Sequence, residues 1–197
     1  MSAKKIKTAI LISGRGSNMV ALAKAAQDET YPAEIVGVVS NRPGAAGLKK
    51  AQALNIPTAV IDHKAYTSRE AFEQDLHKHL TSLEAELVCC AGFMRVLTPG
   101  FVAKWKDRLL NIHPSLLPKY KGLNTHQRAI DAGDSETGCS VHWVTEDLDA
   151  GAVIAQSAVK IASDDTAELL ATRLLPVELA LYPKALNKVA AQIQKTR

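Results

Sequence analysis

Ile6-Lys7-Thr8-Ala9-Ile10-Leu11-Ile12-Ser13, followed at once by Gly14-Arg15-Gly16-Ser17-Asn18, is the stretch whose reading decides the fold. The first eight residues form a short, β-branched, nearly continuous apolar run. That pattern belongs to a strand covered on both faces, as in a parallel sheet. A glycine-flanked turn and the helical stretch Met19–Gln27 come next. Working outward, Ala33–Ser40 (AEIVGVVS) is a second strand ended by Asn41-Arg42-Pro43-Gly44, and Ala45–Leu54 is helical. Thr58–Ile61 is a short third strand after Pro57, and Ser68–Thr81 has helical spacing with Phe72, Leu76 and Leu80 on one face. Leu87–Cys90 and Leu109–His113 are further strands. Alternation of this kind predicts an α/β fold: a mostly parallel, twisted, Rossmann-like sheet with helices on both faces. Ligands of such folds bind beyond the carboxyl ends of the strands.

The second half changes character. Gly138–Thr145 and Ala152–Val159 flank a short connection, Glu146 to Gly151, which predicts an antiparallel hairpin. From about Thr166 to Lys195 the chain reads as a long helix broken near Pro176 and Pro183. No linker rich in Gly, Pro or Ser and no repeat is visible, so a single domain over 1–197 is expected.

Composition narrows the class. With 197 residues and 47% hydrophobic content the chain can bury one sizeable core. Met1–Lys7 is too polar for a secretory signal, and no run approaches the roughly 20 apolar residues of a membrane span. A cytoplasmic protein with no membrane partner is the expectation. Three cysteines, Cys89, Cys90 and Cys139, leave no complete disulfide framework and read as free buried thiols. No metal-ligand spacing is present, so no metal is expected. The net charge of +4 suits small anionic ligands, and its even spread argues against nucleic acid.

Three segments have residue types suited to chemistry. The Ser13–Asn18 turn offers backbone N–H groups and a helix N-terminus to a phosphate. It lacks the third glycine of G-x-G-x-x-G and the Lys of a P-loop. By itself it is equally a plain strand-to-helix connection, with Ser17 or Asn18 as a helix cap. In Asn111-Ile112-His113-Pro114, positions 111 and 113 fall on one side of a strand end, pairing an amide with an imidazole. These are donors for an oxyanion in acyl transfer, and Pro114 and Pro118 would stiffen the following loop. Asp149 lies in Asp147-Leu148-Asp149-Ala150-Gly151, where turn formation is the plain reading. A carboxylate there could also favour a charged His113 and take a proton from an attacking amine. His142 receives no role; His63, His77 and His79 are expected to face solvent.

In order, Ser13-Gly14-Arg15-Gly16-Ser17-Asn18, Ala91-Gly92-Phe93-Met94-Arg95, Asn111-Ile112-His113-Pro114-Ser115-Leu116-Leu117-Pro118 and Asp147 to Gly151 resemble the motifs of the folate-dependent formyltransferases. The Ser-Gly-x-Gly-Ser-Asn start is similar to the phosphoribosylglycinamide branch of that family. The resemblance runs from about Ile6 to Pro183. It implies transfer of a formyl group from 10-formyltetrahydrofolate, as co-substrate, to the amine of N1-(5-phospho-D-ribosyl)glycinamide in purine biosynthesis. It also implies roles: Asn111, His113 and Asp149 catalytic; Gly16, Ser17 and Asn18 on the substrate phosphate; Glu178 on the glycinamide end; Arg69, Met94, Arg95, Val96, Leu97 and Asn111 on the folate. Small molecules are the implied partners, with a monomer or homodimer. Two positions depart from the pattern: Lys121, where relatives often have Pro, and Asn124, where several have His. The competing readings are a 10-formyltetrahydrofolate hydrolase, a methionyl-tRNA formyltransferase and a non-catalytic nucleotide-binding module. The first two would need additional modules for which the chain has little spare length.

Overall fold

The computed structural model describes residues 4–196. Seven strands form one sheet in the order β3-β2-β1-β4-β5-β6-β7. The strands are β1 Ile6–Ile12, β2 Ala33–Ser40, β3 Thr58–Val60, β4 Leu87–Cys90, β5 Leu109–His113, β6 Glu136–Trp143 and β7 Val153–Lys160. The helices are α1 Ser17–Ala25, α2 Ala46–Ala53, α3 Arg69–Ser82, α4 Pro99–Lys104, α5 Thr125–Asp131 and α6 Ala167–Lys195. β1 to β5 pair in parallel; β6 runs antiparallel to β5, and β7 antiparallel to β6. The parallel sheet and the C-terminal hairpin are both as the sequence predicts.

Strand parity explains the two cores. Ile6, Ile10 and Ile12 of β1, Leu87 and Cys89 of β4, and Leu110 and Ile112 of β5 point to one face, under α1, α2 and α6. Ala9 and Leu11, Val88 and Cys90, and Leu109 point to the other, under α3 and α4. Every position of β4 is buried, as expected for a strand packed on both sides. The three cysteines are free and buried, and burial pushes each thiol up to about 12.

Two expectations need correction. The C-terminal helix is not broken: α6 runs unbroken through Pro176 and Pro183. Pro176 is exposed, so the carbonyl its ring leaves unpaired lies on the solvent side, where water can satisfy it. Meanwhile Leu170, Leu174, Tyr182, Leu186 and Val189 fasten the other face to the sheet. Nor do His63 and His77 face solvent. The His63 Nδ1–H donates to the Asn41 carbonyl at 2.8 Å, and His77 packs edge-on against Trp105.

The carboxyl ends of β1 to β5 share one edge of the sheet. The loops that leave it are 13–16, 41–45, 61–68, 91–98 and 114–124. All the chemically unusual segments of the N-terminal half therefore emerge side by side. No helix among the described residues is long and apolar enough to cross a membrane.

Candidate active site

Asn111 and His113 continue the row begun by Leu109, so both side chains leave the same face of β5. Antiparallel pairing sets Asn111 opposite His142 and His113 opposite Ser140. The loop after β5 is fixed by a buried polar network as well as by its prolines. Ser140 Oγ donates to the Ser115 carbonyl at 2.6 Å and accepts from Leu117 N–H at 3.0 Å, while Gln156 Nε2 donates to the Leu117 carbonyl at 2.9 Å.

Asp149 arrives from the β6–β7 connection in a left-handed backbone conformation, φ 48°. Gly151 makes that approach possible, since a Cβ there would lie 1.9 Å from the Trp143 carbonyl oxygen. Asp149 Oδ2 accepts from Gly122 N–H at 2.9 Å and stands 3.3 Å from His113 Nδ1. The opposite nitrogen, His113 Nε2, is 2.9 Å from the Tyr120 carbonyl. A carbonyl only accepts, so Nε2 carries a proton. Nδ1 is then the nitrogen that faces the carboxylate, and the arrangement offers an acceptor to each N–H of an imidazolium.

His142, 2% exposed, is the residue the sequence did not disclose. Its Nδ1 is 2.8 Å from the Trp143 carbonyl, so Nδ1 is the donor. That leaves Nε2 to accept from Asn111 Nδ2 at 3.2 Å, with Asp149 Oδ1 3.5 Å away. Asn111, His142, Asp149 and His113 thus form one connected group. Burial pushes the Asp149 carboxyl up, but the Gly122 N–H and the His113 ring beside it outweigh this, and the acid ends below its ordinary range. The only sequence signal for His142 was its place in the strand pattern Gly138–Thr145, which left core and surface both open; its position beside Asn-x-His comes from the β5–β6 pairing.

These groups line a cavity of about 830 Å³. Asn18, Met94, Arg95, Val96, Leu97, Asn111, His113, Asp149 and Glu178 all border it. Gly16 and Ser17 precede Asn18 in the chain but do not line it. Arg69 does not line it either; its guanidinium donates to the Val96 carbonyl. Glu178 and Asn18 meet across the molecule, with Asn18 Nδ2 donating to Glu178 Oε2 at 2.9 Å. Burial raises the Glu178 carboxyl, and the Asn18 N–H only partly offsets this. Asn18 Oδ1 and His126 Nδ1 are buried without a partner in the protein, which leaves two polar atoms for a ligand. Among the described residues no cluster of His, Cys, Asp and Glu is arranged to hold a metal.

A family model for formyl transferases matches residues 6–186. The chain belongs to the formyl transferase family. This formyl transferase is 49% identical over 187 residues to a trifunctional purine biosynthetic protein adenosine-3 of Gallus gallus, covering 95% of this chain and 19% of that protein. It spans less than a fifth of such multifunctional relatives. It is 42% identical to the phosphoribosylglycinamide formyltransferase of Escherichia coli (strain K12), covering 90% of this chain and 84% of that one. Among solved structures, phosphoribosylglycinamide formyltransferase from Brucella melitensis superposes with a TM-score of 0.92 at 50% identity, covering 95% and 97% of the two chains.

Proposed function

We propose that this formyl transferase, working as one domain, moves the formyl group of 10-formyltetrahydrofolate to the amine of N1-(5-phospho-D-ribosyl)glycinamide, giving the N-formyl product and tetrahydrofolate. The observation that carries the reading is a single cavity bordered by the Asn111–His113–Asp149 group, the Asn18–Glu178 pair and the 92–97 loop. The residues fit a folate: Phe93, Met94, Val96, Leu97, Val102 and Leu123 give apolar walls, and the orphaned polar atoms give anchors.

Bound formyl-folate would supply a formyl carbonyl whose oxygen gathers negative charge when an amine attacks. Asn111 gives one Nδ2–H to His142 and keeps the other for that oxygen. The His113 imidazolium sets positive charge beside that oxygen, with Nε2 anchored on Tyr120 and Nδ1 facing Asp149, so the ring cannot swing away. Asp149 stabilises the charged ring and takes the proton the amine must lose, directly or through one water; the bond from the formyl carbon to N10 then breaks, and a proton passes to N10 as tetrahydrofolate leaves. Glu178 and Asn18 hold the glycinamide end, and the Gly16–Asn18 turn holds the phosphate at the start of α1. With both ends fixed, the attack becomes effectively intramolecular. A cytoplasmic location and the absence of nucleic-acid or membrane partners complete the reading.

The test is purified protein with 10-formyltetrahydrofolate, with and without glycinamide ribonucleotide, following tetrahydrofolate release. Release that depends on the ribonucleotide is the expected result. Equal release without it would make the chain a hydrolase, and binding without release a non-catalytic module.

A further inference from the structure

The cavity has an apolar wall that no strand supports. Residues 92–97 leave β4 at its carboxyl end and carry Met94 and Val96, 59% and 56% exposed. A loop of this kind is floppy unless its backbone is tied down, and a floppy wall must be ordered by the ligand at a loss of affinity. Three side chains tie it. Arg69, on the surface, reaches the Val96 carbonyl, and Glu73 accepts from Thr98 N–H at 2.9 Å just past the loop. The third is Ser13, one residue beyond β1 and 4% exposed.

Ser13 makes two bonds to the loop. Its N–H donates to the Gly92 carbonyl at 3.1 Å, and its Oγ accepts from Met94 N–H at 2.8 Å. A hydroxyl has one proton, and here it goes to Asn41 Oδ1 at 2.6 Å, which turns the oxygen's lone pairs toward Met94. Asn41, 1% exposed at the end of β2, is itself held by His63 through its carbonyl. The chain His63–Asn41–Ser13–Met94 therefore crosses the ends of four strands and fixes one geometry. It passes through Ser13, the residue that opens the Gly14–Asn18 turn, so the walls of the two substrate sites share an anchor.

We propose that Ser13, oriented by Asn41, is a positioning residue for the folate wall: its hydroxyl holds the Met94 amide and so preorganises residues 92–97 for the one-carbon donor. This rests on the formyl-folate reading above. In the full chain, Ser13→Ala should raise the dissociation constant for tetrahydrofolate about three- to tenfold, the worth of one hydrogen bond. The constant for glycinamide ribonucleotide should move less than about twofold on the same grounds, since no Ser13 side-chain bond is made to its turn. Asn41→Leu should act in the same direction but more weakly, and Asn41→Asp, which keeps an acceptor for the Ser13 proton, should bind like wild type. Hydrogen exchange in the unmutated, ligand-free chain needs no variant: the Met94 amide should be protected, and should lose protection in Ser13→Ala. A Met94 amide exchanging like a free peptide overturns the proposal. So does Ser13→Ala with a lower thermal midpoint but unchanged tetrahydrofolate binding, or with equal weakening of both ligands. Should Ser13→Ala not fold, the exchange result and Asn41→Leu still decide. A wild-type chain that binds no tetrahydrofolate overturns the functional reading and the role of Ser13 with it; wild-type binding that Ser13→Ala leaves intact overturns the role of Ser13 alone.

Discussion

Asp149 touches three groups that matter: His113 at 3.3 Å, His142 at 3.5 Å and the Gly122 amide at 2.9 Å. A turn former alone would need none of the histidines. Asp149→Asn and His113→Ala should each lower kcat by roughly 10²–10⁴, the range for losing an acid–base group. The double variant should be little worse than the poorer single, because residues that act as a unit give non-additive losses. Steady-state kinetics and melting curves on the same proteins check this; normal kcat in the folded fraction with a lower midpoint would reduce Asp149 to a turn residue. Val96→Asp places a charge on the exposed apolar wall of the cavity. Tetrahydrofolate binding should weaken by at least tenfold, roughly the cost of setting a charge against apolar surface, with ribonucleotide binding kept, as calorimetry can show. Asn124, one of the departures from the family pattern, sits at φ 57° before α5. Asn tolerates that left-handed conformation better than most residues, so the departure suits the backbone.

The elements set which of these residues can be changed without harm. Gly16 has φ 70°, and a Cβ on it would come within 2.7 Å of the Gly47 backbone in α2. Gly16→Val is therefore expected to lower stability by about 2 kcal/mol or more, as overpacking and backbone strain together do. Phosphate binding is better probed at Ser17, where Ser17→Ala adds no Cβ and keeps the backbone of the turn. In α6, Pro176 is exposed inside a helix that continues past it. Pro176→Ala restores a helical N–H and should raise the thermal midpoint, the gain being about 1–2 kcal/mol after the greater freedom of the unfolded chain is subtracted. A lower midpoint on differential scanning calorimetry would mean that the proline ring packs favourably.

Across the whole molecule, two buried carboxylates of the site pull stability in opposite directions with pH. The folded state holds Asp149 below its usual 3.8, so its contribution is present above that pH and is lost as pH falls through the lowered folded value. Burial raises Glu178 above 4.5, so its contribution is present below pH 4.5 and is lost as pH rises through the raised value. Glu178→Gln should therefore melt higher than wild type at pH 7, with the gap closing near pH 4, while ribonucleotide affinity drops. Asp149→Asn should melt lower at pH 7, with its gap closing in acid. Melting curves at the two pH values test both signs. Sequence alone determined the mostly parallel sheet and the Asn111–His113 pair, because periods of 2 and 3.6 and the spacing along one strand are local properties of the chain. It also marked Asp149 and Glu178 through motif resemblance. What only the tertiary structure decided is contact between distant segments. It showed that Asp149 reaches His113 and that His142 joins them through the β5–β6 register. It showed Arg69 holding a loop backbone outside the cavity lining, and α6 passing unbroken through two prolines. Each of these depends on groups brought together by the packing of sheet and helices, where burial and partner geometry outweigh local propensity.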